Sequence, residues 1–169
     1  MAGKLLQYKE NRYQTRSNEG SSVNPTDSSN AKQGGVIMNL TITPTNSSSI
    51  MYVRFCCPVA GESSNHSNSA NWFLYHSQAG NDVIVHNHNR SRYYGGGMKP
   101  SWQGNGANHC FNIDLQAWVS LGNTTTTTFQ IRTGCNGGAM TINGTGAVTP
   151  TCYNGGHAQT LLYIMEFEN

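Results

Sequence analysis

The chain has 169 residues, of which 11% are charged and 36% hydrophobic, and its formal net charge is +2. That composition suits one domain with a core and argues against disorder, which goes with more charge and fewer aromatics. The ten Lys and Arg are scattered, with no basic run beyond Arg90-Ser91-Arg92, so no phosphate-tracking stripe exists and nucleic acid is not an expected partner.

From the start of the chain, Lys4 to Glu10 alternates as a strand. Nothing there has the apolar core of a signal peptide, and no later stretch could span a membrane. The expectation is a product folded in a cytoplasm, without membrane insertion. A polar stretch follows, Arg12 to Gly35, read as a long loop or an arm toward a neighbouring subunit, since loops of this length are functional or partner-ordered. Val36, Met38, Leu40 and Ile42 then point one way with Asn39 and Thr41 opposite, the period of two of a half-buried strand. Pro44-Thr-Asn-Ser-Ser-Ser has turn chemistry. Ile50 to Cys57 is the next strand, with Met51, Val53, Phe55 and Cys57 on one face and Tyr52 and Arg54 on the other.

Pro58 to Ala70 reads as a loop. Strands are expected at Asn71 to His76 and Asp82 to His88, then an irregular stretch from Asn89 to Asn108. Strands resume at Phe111 to Val119, Thr126 to Arg132, Ala139 to Ile142 and Thr160 to Glu168. In the last, Leu161, Tyr163, Met165 and Phe167 face one way and Leu162, Ile164 and Glu166 the other. An edge strand apolar on both faces invites aggregation. This one belongs in the middle of a sheet, or between the core and a second subunit. Roughly nine short strands without a helix predict one all-β, jelly-roll-like sandwich over residues 1–169. Leu40, Phe55 and Tyr163 are expected core residues.

The five cysteines, Cys56, Cys57, Cys110, Cys135 and Cys152, lack metal-type spacing and read as free thiols. Adjacent Cys56 and Cys57 must point to opposite faces of their strand. Cys135 and Cys152 are the pair to check for a bridge. His86 and His88, two apart on a strand, share a face and could hold a metal, but no third ligand is identifiable. They therefore read as a solvated strand end, and no cofactor is expected. The carboxylates form no locally spaced acid/base pair, and no nucleophile elbow, phosphate loop or zinc-protease helix occurs. The chain therefore reads as no enzyme. The best candidate recognition surface is Arg92, Tyr93, Tyr94 and Trp102, where aromatic faces stack on sugars and Arg forks to an anion. The alternative is that Trp102 caps the core under its own loop.

Five segments in order resemble one family. They are Gly-Lys-Leu-Leu-Gln (Gly3 to Gln7), the Ile-Thr-Pro-Thr-Asn-Ser-Ser-Ser-Ile hairpin within Leu40 to Val53, and Trp72-Phe-Leu-Tyr. The Thr-rich turn and strand from Asn123 to Arg132, and Leu161-Leu-Tyr-Ile-Met-Glu-Phe, complete the set. Together they resemble a jelly-roll module of phage tail-fibre and other virion proteins, similar to the complement globular head and tumour necrosis factor. Ser49 stands where that module usually has Lys. The long loops depart from it too, which touches surface and partner but not core. The resemblance implies a homotrimeric structural protein of a tailed bacteriophage, on the virion surface. Its partners would be itself, other virion proteins and host-surface glycan. Fibre tip, knob or adhesion module is the first expectation, capsid decoration (cement) or structural adaptor the second, and a carbohydrate-active enzyme a distant third. Beginning directly on the globular module, without a shaft, suits a stand-alone virion component.

Overall fold

The computed structural model describes residues 3–13, 17–19, 34–61, 70–78, 81–84, 110–135, 140–143 and 159–169. Among them every regular element is a strand: β1 Leu5–Tyr13, β2 Ser17–Glu19, β3 Gly35–Ile42, β4 Ile50–Gly61, β5 Ala70–Gln78, β6 Asn81–Ile84, β7 Cys110–Ser120, β8 Thr127–Cys135, β9 Met140–Ile142 and β10 Thr160–Phe167. They form two antiparallel sheets. The first runs β1-β10-β4-β9-β2, with β7 on the other side of β4, and the second runs β3-β8-β5-β6. β10 and β9 follow one another along the same side of β4, since Leu161 pairs with Cys56 and Ile142 with Val59. β1 and β2 flank them in turn.

Period-two alternation decides the faces. Met51, Val53, Phe55 and Cys57 of β4, Ile113, Leu115 and Val119 of β7, and Leu162 and Ile164 of β10 turn inward. There they meet Met38 and Ile42 of β3, Trp72 and Leu74 of β5, and Phe129 and Ile131 of β8 in one core. Phe55 and Trp72 bridge the sheets with ring centroids 5.6 Å apart. The protein is a β-sandwich. Cys56 is partly exposed and Cys57 buried, both free, on opposite faces as expected.

Three expectations change. Tyr163 lies on the outer face of β10, opposite Ile164, and only partly buried. β4 does not end at Cys57 but runs through Pro58 to Gly61. Pro58 is tolerated because its carbonyl, which accepts from the Asn143 N–H at 3.0 Å, points to the junction where β10 gives way to β9. Its missing N–H faces the same junction, so little of the ladder is lost. Within the 12–35 stretch, Arg12 and Tyr13 continue β1, and Ser17–Glu19 pairs with Met140–Ile142 of the same chain. Residues 14–16 and 20–33 lie outside the described residues.

Two buried polar nodes close the first sheet. At one end Glu166 has no solvent exposure. It accepts from the Thr45 N–H (2.6 Å), the Thr45 hydroxyl (2.9 Å), the Asn46 N–H (3.4 Å) and the Gln7 amide. Gln7 also donates to the Thr43 carbonyl at 2.8 Å. Nearby, a Cβ on Gly3 would sit 1.6 Å from the Glu168 carbonyl oxygen, so only glycine fits. At the other end Asn143, at φ 56°, adopts the left-handed conformation that Asn tolerates. It donates from Nδ2 to the Tyr13 carbonyl (2.9 Å) and accepts from Thr160 Oγ1 (2.9 Å), which lies 3.2 Å from Cys57 Sγ.

Phe55 is wholly buried, so Phe55→Ala is expected to cost about 3–5 kcal/mol in urea denaturation. Thr125→Ala, exposed in its turn, should stay within about 0.5 kcal/mol. Burial pushes the Glu166 carboxyl up, but hydrogen bonding from Gln7 and Thr45 outweighs it and holds it below the ordinary 4.5. The folded state thus binds fewer protons than the unfolded. The stabilisation is complete above the unfolded value and is lost as pH falls through the lower folded one. Glu166→Gln should cost about 1–3 kcal/mol at pH 7. The same variant should flatten the stability loss that acid titration shows in the unsubstituted protein.

Candidate interaction surface

The outer face of the first sheet is built by the residues alternating with the core. β10 contributes Leu161, Tyr163, Met165 and Phe167. Their register partners are Leu5, Tyr8, Glu10 and Arg12 on β1 and Ile50, Tyr52, Arg54 and Cys56 on β4. Across β4, Tyr52 pairs with Trp118, Arg54 with Gln116 and Cys56 with Asp114 of β7. The face is graded, apolar at one end and polar at the other.

At the apolar end the rings form a chain. Tyr8 and Tyr163 are 6.0 Å apart between centroids, Tyr163 and Tyr52 6.2 Å, Tyr52 and Trp118 4.8 Å, and Trp118 and Phe167 5.7 Å. These are aromatic contact distances. Interplanar angles between 38° and 56° tilt the rings, so they offer ridges rather than a flat platform. Trp118 is 65% exposed, Leu5 50% and Tyr8 48%.

At the polar end the charges are closed among themselves. Arg54 forks to both oxygens of Asp114 at 2.9 and 2.7 Å. Arg12 does the same to Glu10 at 2.9 and 3.1 Å. Hydrogen bonding to Asp114 raises Arg54 and, in return, Arg54 lowers the Asp114 carboxyl. Burial raises the Cys56 thiol, and Asp114 adds to it, which disfavours the thiolate form. The second sheet differs. Its outer face carries the ladder Thr41–Thr128 and Thr43–Thr126 at 3.1 and 2.8 Å, and Phe73 and Tyr75 are buried there.

Of the residues singled out from sequence, Arg92, Tyr93, Tyr94, Trp102, His86, His88 and Cys152 lie outside the described residues, and Cys135 ends β8. Among the described residues no three His, Cys, Asp or Glu are grouped to hold a metal. The two-sided apolar pattern of the last strand had pointed to a second contact for its outer face, but Trp118 was not singled out, although its signal was present. The alternation that buries Ile113, Leu115 and Val119 puts Trp118 outside with Asp114 and Gln116.

The Arg54–Asp114 pair is exposed, so Arg54→Ala should cost less than about 1 kcal/mol, the usual value for surface ion pairs. Thermal melts in low and high salt check this, and the difference should shrink with salt. Compared with protein-family models and with curated proteins, the chain finds no match.

Proposed function

We propose that the chain is a non-enzymatic structural protein of a tailed-bacteriophage virion, a homotrimeric jelly-roll module on the particle surface. The observation that carries this reading is the node at Glu166. Three of the five segments that resemble the virion module meet there. The opening segment supplies Gln7, the turn between β3 and β4 supplies Thr45 and Asn46, and the terminal segment supplies Glu166 itself. Segments joined by a buried hydrogen-bond network form one structural unit, and their joint occurrence is then more than a shared taste for Ser and Thr.

Strand order adds support. With short β2 and β9 set aside, the sheets run β1-β10-β4-β7 and β3-β8-β5-β6. Numbered as eight, these are first-eighth-third-sixth and second-seventh-fourth-fifth, the order of a double Greek key. Association is favoured by the exposed aromatic face over β10 and β4, since contiguous apolar patches mark interaction sites, and the resemblance is what makes it a trimer.

Within the virion the first reading is a fibre tip, knob or adhesion module. It would recognise host glycan through the stretch containing Arg92, Tyr93, Tyr94 and Trp102. Capsid decoration is the second reading, favoured by the broad apolar face, which suits a protein held by its neighbours. Mass spectrometry of purified particles, with antibody labelling in electron micrographs, tests both. The expected result is the chain in virions, in multiples of three copies, with label at the tail tip. Label over the capsid would select decoration, and absence from stringently purified particles would overturn the virion reading.

A further inference from the structure

We infer that Asn143 is a built-in modification site. The fold shields its side-chain amide from loss as ammonia, and a chain that opens there loses it irreversibly. The inference is independent of the virion reading and concerns the junction of β9 with β1, β4 and β10.

The chemistry begins in the sequence, where Asn143 is followed by Gly144. Asn is among the thermolabile residues, and a following glycine makes it more so, because no side chain crowds the glycine nitrogen and its backbone turns freely. That nitrogen attacks the asparagine Cγ. The new N–Cγ bond closes a cyclic imide, the Cγ–Nδ2 bond breaks, and Nδ2 leaves as ammonia with the proton that the backbone nitrogen gives up. One water then opens the imide at either carbonyl, leaving aspartate or isoaspartate. Water is the only co-reactant.

Folding withholds the groups that this reaction must move. Asn143 Nδ2 donates to the Tyr13 carbonyl at 2.9 Å, and Oδ1 accepts from the Thr160 hydroxyl at 2.9 Å. The Asn143 N–H donates to the Pro58 carbonyl at 3.0 Å. Those partners belong to β1, β10 and β4, and Ile142 just before is the last residue of β9. Swinging Cγ toward the next backbone nitrogen therefore breaks contacts to three strands together. Asn143 and Thr160 have no solvent exposure, so bulk water does not reach the amide.

The product does not fit the place that the amide leaves. A carboxylate at position 143 has no hydrogen to give the Tyr13 carbonyl, so two acceptors would face each other without solvent, and a charge would be buried with them. The Thr160 hydroxyl still donates, which replaces one side-chain contact of the two. Isoaspartate is worse, since it adds a carbon to the main chain at the residue whose N–H must reach Pro58. An opened chain that reacts is thus barred from closing the junction as before.

The experiment incubates the full chain at mildly alkaline pH, folded in buffer or unfolded in urea, with circular dichroism to verify each state. Mass spectrometry of its peptides follows conversion at Asn143. Asn105-Gly106, Asn136-Gly137 and Asn154-Gly155 report the intrinsic rate of the same dipeptide in urea. There Asn143 should convert as fast as those three. In the folded chain its conversion should be slower by about a hundredfold or more, since it must wait for the junction to open. Equal rates in the two states would overturn the shield, and conversion in urea far slower than at the other three would overturn the site. Asn143→Asp encodes one product directly. It should melt several degrees below the unsubstituted chain or fail to fold, and an unchanged melting temperature would overturn the irreversible step.

Discussion

Glu166 carries a charge into a site with no solvent, and such a burial costs several kcal/mol unless hydrogen bonds replace the lost water. The donors that replace it come from the turn after β3 and from β1. The carboxylate therefore ties together the last strand, the first strand and the turn between β3 and β4, which is the corner where the chain crosses from the second sheet to the first. If any one segment were displaced, a charge would be left buried and unpaired. That penalty, more than the strength of any single bond, makes the arrangement all-or-none.

The same logic recurs at the far end of β10, in neutral form. Thr160 and Asn143 join the start of β10 to the end of β9, and Asn143 reaches the Tyr13 carbonyl where β1 ends. β10 is thus pinned at both ends by buried polar contacts and along its length by two ladders, to β1 and to β4. Between the nodes its inward face is purely apolar, Leu162 and Ile164. The apolar contacts supply most of the stabilisation, and the polar nodes select one register among those the apolar pattern would accept.

Pinning β10 in the middle of its sheet has a consequence on the other side. Its outer residues, Leu161, Tyr163, Met165 and Phe167, cannot escape to an edge, and neighbouring strands add Tyr8, Tyr52 and Trp118 beside them. An aromatic surface is the necessary product of a central strand apolar on both faces. The inner face builds the sandwich, and the outer face stays only partly buried.

Much of this was legible in the residues themselves. Strand positions, the opposite facing of Cys56 and Cys57, and the turns rest on period-two alternation and on local chemistry. Asn123 shows the local kind: its side chain accepts from the Thr125 N–H at 2.8 Å and donates to the Leu121 carbonyl at 3.0 Å. Such features involve neighbours within a few positions, so the amino-acid order alone determines them. Which face of β10 turns inward, whether a strand can pass through Pro58, and whether Glu166 is solvated or buried depend on partners far away. Gln7 and Glu166 are 159 positions apart. Tyr163 and Ile164 are both apolar enough for a core, and alternation says only that they must differ. The tertiary structure decided between them, because burying Glu166 against the turn commits every even-numbered residue of β10 to the inside.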